Sequence, residues 1–509
     1  MNNADKSALC AILMVCGLAA TPIGALAAPP RVILSVIPTD PSSVVPSLGT
    51  TYQAFGKPQF SPDGSKWIIN ADTLLATTND EIIVKGSGTT NAGSAVVAQE
   101  AAVCDFDATR TYGLLDEFCG INNAGNITFG GDLSGATTSD EFTARIIGGV
   151  FELIAGEGAP AWGLGGTIGF GSSSGAAHIL GDNTVRLRSS SLTTATTQGA
   201  LFSGTSSTTG SVLAQTDTTT PLNQQVAPNQ TIDLFAVDRF KSDATGANYI
   251  YAADLNGPTT TDYFIAVNGA VVAQEGTPLP GLATLNVVSL TNTGSGENIS
   301  PANGHWICRG SFAGATAVLQ DDFVLGDGVI RAQVGQPIHA GATELFDDTL
   351  YAQCFFNNTV NSNGDYVIGG LTGNPNADRN AVLVLNGLRE ILREGDGVDL
   401  DGDGQADDQL FISIINNDDS FLTDSLEYYF MAELVNGDGI NMGQAFLYMN
   451  LNARCVGDYN GDGGIDGNDV EAFFIDWEDG QTIADVNEDG GVDGGDVELF
   501  FLRWEAGVC

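Results

Sequence analysis

Oxygen-bearing side chains recur at alternating positions in two segments near the C-terminus, a pattern that could bind a metal ion. The first segment has Asp458, Asn460, Asp462, Asp466 and Asp469, and the second has Asp485, Asn487, Asp489, Asp493 and Asp496. Ca²⁺ takes about six to eight oxygen ligands in loops of this kind, with a glycine at the sharp turn and one backbone carbonyl. Gly464 and Gly491 stand where that carbonyl is needed. The sequence therefore predicts two calcium loops.

A third acidic loop lies earlier in the chain and shows the same alternation. Its candidate ligands are Asp399, Asp401, Asp403 and Asp407, with a backbone carbonyl from Gln405. Its twelfth position is Leu410, whose side chain has no oxygen. It resembles the helix-free DxDGDG loops of extracellular proteins and is predicted to bind calcium. The alternative is a solvated acidic turn.

Recurring glutamates could form a ring of carboxylates that binds metal or acts on a sugar. They follow similar strand-like segments at Glu100, Glu157, Glu275 and Glu394, and Gln215 and Gln333 replace them in two further repeats. A glutamine at the same place favours a structural role, in which the side chain accepts a backbone hydrogen bond at a strand end. We therefore expect a structural role and leave the catalytic residues unknown.

Other residue types give no catalytic constellation. The three histidines, His178, His305 and His339, fall at different phases of the repeat, and no HExxH or GxSxG element accompanies them. Trp67, Trp162 and Trp306 could stack on sugars, but we expect them to fill space between sheets. No glycine-rich phosphate loop lies between a strand and a helix.

Two helices must follow the C-terminal loops, because apolar residues continue there at helical spacing. Val470, Phe473, Phe474 and Trp477 recur as Val497, Phe500, Phe501 and Trp504. A small core of this kind would depend on bound metal, so folding and calcium binding should be coupled.

Residues 455–509 resemble a type I dockerin domain of the variant that ends in Gly-x-Cys. The resemblance rests on the two loops, their helices and the terminal Gly507 to Cys509. It implies an all-α calcium module that binds a cohesin-like or cell-surface protein, often attached to polysaccharide-degrading proteins. One departure is that Gly467-Asn468 and Gly494-Gly495 stand at the tenth and eleventh loop positions, where many dockerins have Ser or Thr.

Residues 28–454 form a mainly β repeat array, which we interpret as a seven-bladed β-propeller. A polar turn before a short apolar strand occurs seven times, from Gly64 to Ser425, which gives about 60 residues per unit ((425 − 64)/6). The first unit, Phe60 to Trp67, resembles the strand-turn element of TolB-type propellers. The strand from Val32 to Val36 would complete the last blade. A six-bladed propeller with an extra sheet and a β-sandwich array are the alternatives.

The N-terminal 27 residues resemble a secretory signal peptide. Lys6 precedes an apolar run, and Ala25-Leu26-Ala27 offers a cleavage site. Lipidation at Cys16 is the alternative. No later segment is apolar enough to cross a membrane. An exported chain with six remaining cysteines suggests disulfides, and sequence proximity favours 104–119, 308–354 and 455–509.

The formal net charge of −44 argues against nucleic acid as a partner, because phosphate binding needs Lys and Arg. The leading functional hypothesis is a secreted calcium-binding propeller without catalysis, anchored through its C-terminal module. The competing hypothesis is a polysaccharide hydrolase or lyase delivered by that module. A polysaccharide is a possible ligand in both.

Overall fold

Seven antiparallel sheets make up the larger part of the chain. The structure, a computed structural model, describes residues 28–165, 168–171, 174–193, 199–219, 221–224, 226–279, 286–290, 296–312, 322–347, 353–406, 408–451, 456–457, 459, 465–478, 480–481, 484, 486 and 491–506. One compact unit spans Ala27–Ala453, and the residues from Arg454 onward belong to a second. The first unit is a seven-bladed β-propeller, as predicted from the repeats.

Each sheet is one blade, built as a meander of consecutive strands. Blade one contains β2 (Tyr52–Phe55), β3 (Gln59–Phe60), β4 (Lys66–Thr73), β5 (Glu81–Ser87) and β6 (Ala95–Gln99). Blade two contains β7 (Val103–Cys104), β8 (Asp107–Leu115), β9 (Gly120–Ile121), β10 (Ile127–Leu133), β11 (Glu141–Ile147) and β12 (Val150–Gly156). Blade three contains β13 (Ser174–Ile179), β14 (Val185–Ser189), β15 (Ala200–Ser206) and β16 (Thr209–Gln215).

The remaining blades repeat the same order. Blade four contains β17 (Ile232–Ser242), β18 (Tyr249–Leu255), β19 (Tyr263–Val267) and β20 (Ala270–Gln274). Blade five contains β21 (Val287–Ser289), β22 (Asn298–Ile299), β23 (Trp306–Phe312), β24 (Asp322–Gly326) and β25 (Val329–Gln333). Blade six contains β26 (Phe355–Val360), β27 (Tyr366–Leu371), β28 (Ala381–Leu385) and β29 (Arg389–Arg393). Blade seven contains β30 (Leu410–Leu422), β31 (Glu427–Asn436), β32 (Asn441–Asn450) and β1 (Arg31–Ser35). Two short 3₁₀ helices span Pro41–Ser43 and Ala377–Arg379.

Turn residues explain why the strands end where they do. The turn between the last two strands of blade four is Asn268-Gly269, with φ values of 52° and 78°. Positive φ at both central residues is the geometry of a tight hairpin turn that matches the twist of its strands. Asp327-Gly328 and Asn386-Gly387 repeat it in blades five and six. Asn-Gly and Asp-Gly pairs suit these turns because both residue types accept positive φ.

The hydrophobic core lies between neighbouring blades, because both faces of each sheet are covered. Ile250 of blade four packs in one cluster with Cys308 of blade five, whereas Ile307 faces the cluster shared with blade six. Trp67 is fully buried and contacts Phe446 of blade seven, with ring centroids 5.7 Å apart. Trp162 is also buried, against Phe170 and Phe202. The expectation that tryptophans fill space between sheets is confirmed for Trp67 and Trp162, whereas Trp306 is only partly buried against the cluster of blades four and five.

The N-terminal strand closes the ring, as the sequence predicts. β1 pairs antiparallel with β32, with Val32 opposite Leu447. Ile33 and Leu34 of this strand are fully buried in the cluster that joins blades seven and one. The strand therefore covers the edge that β32 would otherwise expose.

Polar side chains join corresponding turns of successive blades. The donors and acceptors lie 59 to 61 residues apart, which is one repeat. The links are Asp63 N–H to Asn123 Oδ1, Asn122 Nδ2 to Asn183 Oδ1, Asn303 Nδ2 to the Ser362 carbonyl and Asn363 Nδ2 to the Asp424 carbonyl, at 3.1, 3.0, 2.7 and 3.0 Å. These links join blades one to two, two to three, five to six and six to seven, at the turns that precede β4, β10, β14, β23, β27 and β31.

Two of the predicted disulfides are not formed, since Cys104, Cys119, Cys308 and Cys354 are buried free thiols. Cys308 packs between blades four and five, and Cys354 packs between blades five and six, so a blade separates them. Cys104 and Cys119 lie near opposite ends of β10. Cys119 precedes β9, which pairs with β10 at Thr128. Cys104 lies in β7 and pairs with the start of β8, which extends beyond Leu133 at the far end of β10. The predicted 455–509 pair lies outside the described residues.

The C-terminal unit contains the two predicted helices, α1 (Gly467–Glu478) and α2 (Gly494–Ala506). Phe473 and Phe500 stack face to face between them, with ring centroids 4.2 Å apart and planes 3° apart. The apolar positions picked out by the helical spacing therefore form the core of this unit. No helix among the described residues is long and apolar enough to cross a membrane.

Candidate functional site

The third acidic loop lies between blades six and seven, between β29 and β30. Asp399 is buried, and its backbone joins the loop to the N-terminal segment. Its N–H donates to the Pro30 carbonyl at 2.8 Å, and its carbonyl accepts from the Val32 N–H at 3.1 Å. The loop is therefore anchored to the strand that closes the ring.

Three predicted ligands of this loop converge. Carboxylate oxygens of Asp399, Asp401 and Asp403 all lie within 4.8 Å of one another, and Asp401 and Asp403 are exposed. Burial raises the pKa of Asp399, and the nearby Asp403 adds to this, while the N–H groups of Gly402 and Gly404 and the Arg31 charge lower it. This all-oxygen donor set fits a hard divalent cation such as Ca²⁺.

The rest of the loop differs in detail from the sequence expectation. Asp408 accepts the Leu400 N–H at 2.7 Å and so closes the loop, a role that the sequence analysis did not assign. The Gln405 N–H donates to Asp403 at 2.8 Å. Leu410 is buried as the first residue of β30, and Asp407 lies outside the described residues. The only sequence signal for this role was the second carboxylate that directly follows Asp407.

The recurring glutamates serve strand ends, as expected. Glu100 accepts hydrogen bonds from the backbone of Asp80 and Glu81, at the start of β5 in the same blade. Glu394 accepts them from Asn380 and Ala381, at the start of β28. Glu157 repeats this in blade two, with Asp140 and Glu141. Burial nevertheless raises the pKa of each of these glutamates. They hold strands together within a blade and do not converge on one centre.

Three acids join neighbouring blades. The backbone bond of Glu275 was expected from the sequence but not its partner in the next blade, and Glu81 and Asp322 were not singled out in the sequence. Glu275 accepts the Leu290 N–H at 3.1 Å, and Glu81 accepts the Leu115 N–H at 2.7 Å. Asp322 accepts the Cys354 N–H at 2.7 Å. In each case the carboxylate belongs to one blade and the amide to the next. Their repeated place near the strand ends was the available signal.

A buried ion pair joins blades four and five. Arg239 Nη1 is 3.0 Å from Glu297 Oε1 and 2.9 Å from the Leu290 carbonyl. Asn358 Nδ2 donates to the Gly296 carbonyl at 2.8 Å, which links the same segment to blade six. These groups join inner strands of blades four, five and six, so their polarity is used in assembly of the ring.

A cavity of about 120 Å³ lies on the axis. Six blades line it, through residues that include Gln59, Ile121, His178, Lys241, Asn298 and Phe421. Asp243 is the one carboxylate among its described lining residues, and its two oxygens accept from Thr245 and Asn248. The pair of acids needed for glycoside hydrolysis is therefore missing from the described wall of this cavity.

The three histidines lie in separate environments. His178 is held against the Phe240 carbonyl at 2.8 Å, and burial lowers its pKa to about 4. His305 contacts Asp327 at 2.8 Å, and His339 contacts the Ala340 carbonyl at 3.0 Å. Each histidine therefore has its own partner, in a different part of the repeat.

The C-terminal loops are described only in part. Asp466, Asp469, Gly491, Asp493 and Asp496 are within the described residues, and the other predicted ligands, Asp458, Asn460, Asp462, Gly464, Asp485, Asn487 and Asp489, lie outside them. Asp469 and Asp496 are fully buried at the starts of the two helices. They accept the N–H groups of Asp466 and Asp493, both at 2.8 Å. Buried carboxylates that close an oxygen-rich loop fit Ca²⁺.

No protein-family model matches the chain, and no curated protein matches it significantly. Among solved structures, the polysaccharide lyase Uly1 is 11% identical, with 84% of this chain and 97% of that chain covered and a TM-score of 0.39. The β-propeller domain of the Trilobed protease from Pyrococcus furiosus is 7% identical, over 79% and 94%, with a TM-score of 0.38.

Prolyl oligopeptidase B from Galerina marginata is 9% identical over 78% of this chain, with a TM-score of 0.34. The chain spans about half of that protein, 48% of its length. All three TM-scores lie below 0.5, so these likenesses carry no information on substrate or reaction.

Proposed function

We propose that this protein is a secreted calcium-binding propeller without catalysis of its own. Its propeller presents a binding face, for which a polysaccharide is a candidate ligand. Its C-terminal unit attaches it to a cohesin-like or cell-surface protein. The proposal that the protein is secreted rests on its N-terminal sequence.

The convergence of Asp399, Asp401 and Asp403 carries the calcium part of the proposal. Three carboxylates within 4.8 Å repel one another in a chain of net charge −44. A divalent cation bound between them relieves this repulsion and adds Coulombic attraction. Because the loop is bonded to β1, bound calcium should also stabilise closure of the ring.

Calorimetric titration with CaCl₂ tests this site in the chain from residue 28 to 509. We expect Asp401→Asn with Asp403→Asn to bind one Ca²⁺ fewer per chain and to lose part of the calcium-dependent rise in melting temperature. The matched control, Asp378→Asn with Asp438→Asn, makes the same charge change at two exposed sites outside the loop. An unchanged stoichiometry in the loop variant would contradict the assignment.

Attachment through the C-terminal unit is supported by its exposed apolar side chains. Ile475 on α1 and Leu502 on α2 are 57% and 59% exposed, and they occupy equivalent positions, 27 residues apart (502 − 475). Exposed apolar residues at matching places on two helices suit contact with a protein partner. Ile475→Lys with Leu502→Lys should abolish capture of a cohesin-like or surface protein without lowering helix content by circular dichroism.

The competing function is hydrolysis or lysis of a polysaccharide. The recurring glutamates bind backbone amides, and the axial cavity lacks an acid pair among its described lining residues. Both observations favour a binding protein. We expect no shortening of neutral or acidic polysaccharides, measured by size-exclusion chromatography after incubation with the chain and calcium. Shortening of any of them would establish the enzyme instead.

A further inference from the structure

The two tryptophans of the C-terminal unit form a reciprocal pair of hydrogen bonds. Trp477 lies near the end of α1, and its Nε1–H donates to the Asp493 carbonyl at 2.8 Å, just before α2 begins. Trp504 lies near the end of α2, and its Nε1–H donates to the Asp466 carbonyl at 2.7 Å, just before α1 begins. Each repeat therefore holds the loop of the other.

The residue held by each indole also touches the carboxylate that closes its own loop. The Asp466 N–H donates to Asp469, and the Asp493 N–H donates to Asp496, both at 2.8 Å. Asp466 and Asp493 therefore each make two hydrogen bonds. The N–H donates to the buried carboxylate of the same loop, and the carbonyl accepts from the indole of the other helix. Displacement of either carboxylate must displace the acceptor of the distant indole.

A rigid aromatic core keeps the two helices from absorbing such a displacement. The Phe473 and Phe500 rings stack at 4.2 Å, and Tyr459 from the first loop packs edge-on against both, at 5.3 and 6.2 Å. The Tyr459 hydroxyl donates to Asp476 of α1 at 2.9 Å. A displacement of one loop should therefore displace the other loop, because the tightly packed helices cannot shift against each other to absorb it.

We propose that Trp477 and Trp504 are positioning residues that make the two C-terminal loops take up calcium cooperatively. The inference rests on the proposed function, namely that these loops bind Ca²⁺. Ordering of one loop fixes its Asp466 or Asp493 carbonyl, which fixes the indole and helix of the other repeat. That helix carries the closing carboxylate of the second loop, so the coupling is reciprocal.

The test is CaCl₂ titration by calorimetry of residues 28–509 carrying Asp401→Asn and Asp403→Asn, so that the C-terminal loops dominate the signal. We expect two ions to bind with a Hill coefficient close to about 2. Trp477→Phe with Trp504→Phe keeps aromatic rings in place but removes both donors. This variant should still bind two ions, with a Hill coefficient near about 1 and an apparent affinity lowered on the order of tenfold.

Two controls separate coupling from simple destabilisation. Trp306→Phe makes the same chemical change in blade five and should leave the titration unchanged. Ile475→Gly weakens α1 at an exposed position but keeps both indole donors and the aromatic stack, so it should lower the melting temperature of the unit while two-ion cooperativity persists. Far-UV circular dichroism in saturating calcium shows whether each variant retains α1 and α2.

A thermodynamic cycle supplies an independent reading. Asp496→Asn should weaken calcium binding at the first loop in the parent chain, but not in a chain that also carries both tryptophan changes. If the loops bind two ions independently, or if cooperativity survives loss of both indoles, the inference is wrong although calcium binding stands. If the C-terminal loops bind no calcium at all, the proposed function of this unit fails together with it.

Discussion

Glu275 shows how one buried side chain can set the pH dependence of the propeller. Only 4% of its surface is exposed, and it accepts the Leu290 N–H across the junction of blades four and five. Burial raises its pKa to about 7, and the neighbouring Asp262 and Asp254 add to the shift. Burial also raises the pKa of Asp254 to about 6. Folding therefore favours the protonated forms of Glu275 and Asp254 relative to the unfolded chain.

Stability from Glu275 should be greatest at acidic pH. The pKa is raised on folding, so its contribution is fully present below the unfolded value of about 4.5 and is lost as pH rises through about 7. The change amounts to about 3 kcal/mol over that range. We expect Glu275→Gln, which is neutral throughout, to flatten the fall in unfolding free energy between these pH values. Urea denaturation measures it, with the exposed Asp438→Asn as control; an identical slope in the Gln variant would contradict the assignment.

Single residues also mark the limits of what the sequence predicts. The pairing of Cys308 with Cys354 failed because alternate residues of a strand face different blades, and proximity along the chain does not say which face each occupies. Asp408 was not predicted as a loop residue, because it stands at the tenth position of the calcium-loop pattern, between the ninth and twelfth positions that carry ligands. Its bond to the Leu400 N–H exists only in the folded loop. Asp399, Asp401 and Asp403 did converge, since alternating spacing within one tight turn fixes their neighbourhood.

At the level of elements, the seven polar turns predicted the apolar strand that follows each of them, one in every blade. Glycine or asparagine with positive φ stands at these turns in six blades and is visible in the sequence, whereas Leu426 takes that place in blade seven. The inner strands were not predictable in detail. β13, β17 and β30 each contain a register shift, as at Phe235/Phe240 in β17. Bulges of this kind leave no periodic signal.

The closing strand offers a test at the scale of one element. We expect Ile33→Ala to lower the free energy of unfolding by about 2–5 kcal/mol, because it removes a fully buried side chain from the core between blades seven and one. Val44→Ala, at a side chain that is 50% exposed, should cost much less. Chemical denaturation of both variants makes the comparison. Equal effects would mean that β1 contributes little to closure.

For the whole molecule, charge is the dominant feature, with 62 acidic residues against 18 basic ones. Self-repulsion should therefore destabilise the folded chain at low ionic strength. We expect the melting temperature to rise by a few degrees when NaCl increases from about 10 mM to about 150 mM, as the screening length falls from about 30 to about 8 Å. Scanning calorimetry measures this rise, and a melting temperature that is unchanged or lower in NaCl would contradict it.

Screening and specific binding can be separated in the same experiment. CaCl₂ at matched ionic strength should raise the melting temperature further than NaCl does. The Asp401→Asn and Asp403→Asn chain should keep the response to NaCl and lose much of the additional response to calcium in the propeller transition. This outcome would assign the general effect to net charge and the specific effect to the loop.

Ring closure by β1 also fixes the order in which the propeller can be completed during synthesis. Val32 is synthesised 415 positions before its partner Leu447 (447 − 32). Pairing across so long a separation is entropically slow to establish. The first strand of the body must therefore wait, unpaired, while six blades are made. A chain interrupted anywhere before residue 441 leaves that strand without its neighbour, so truncated products of this protein should be targets for chaperones and proteases.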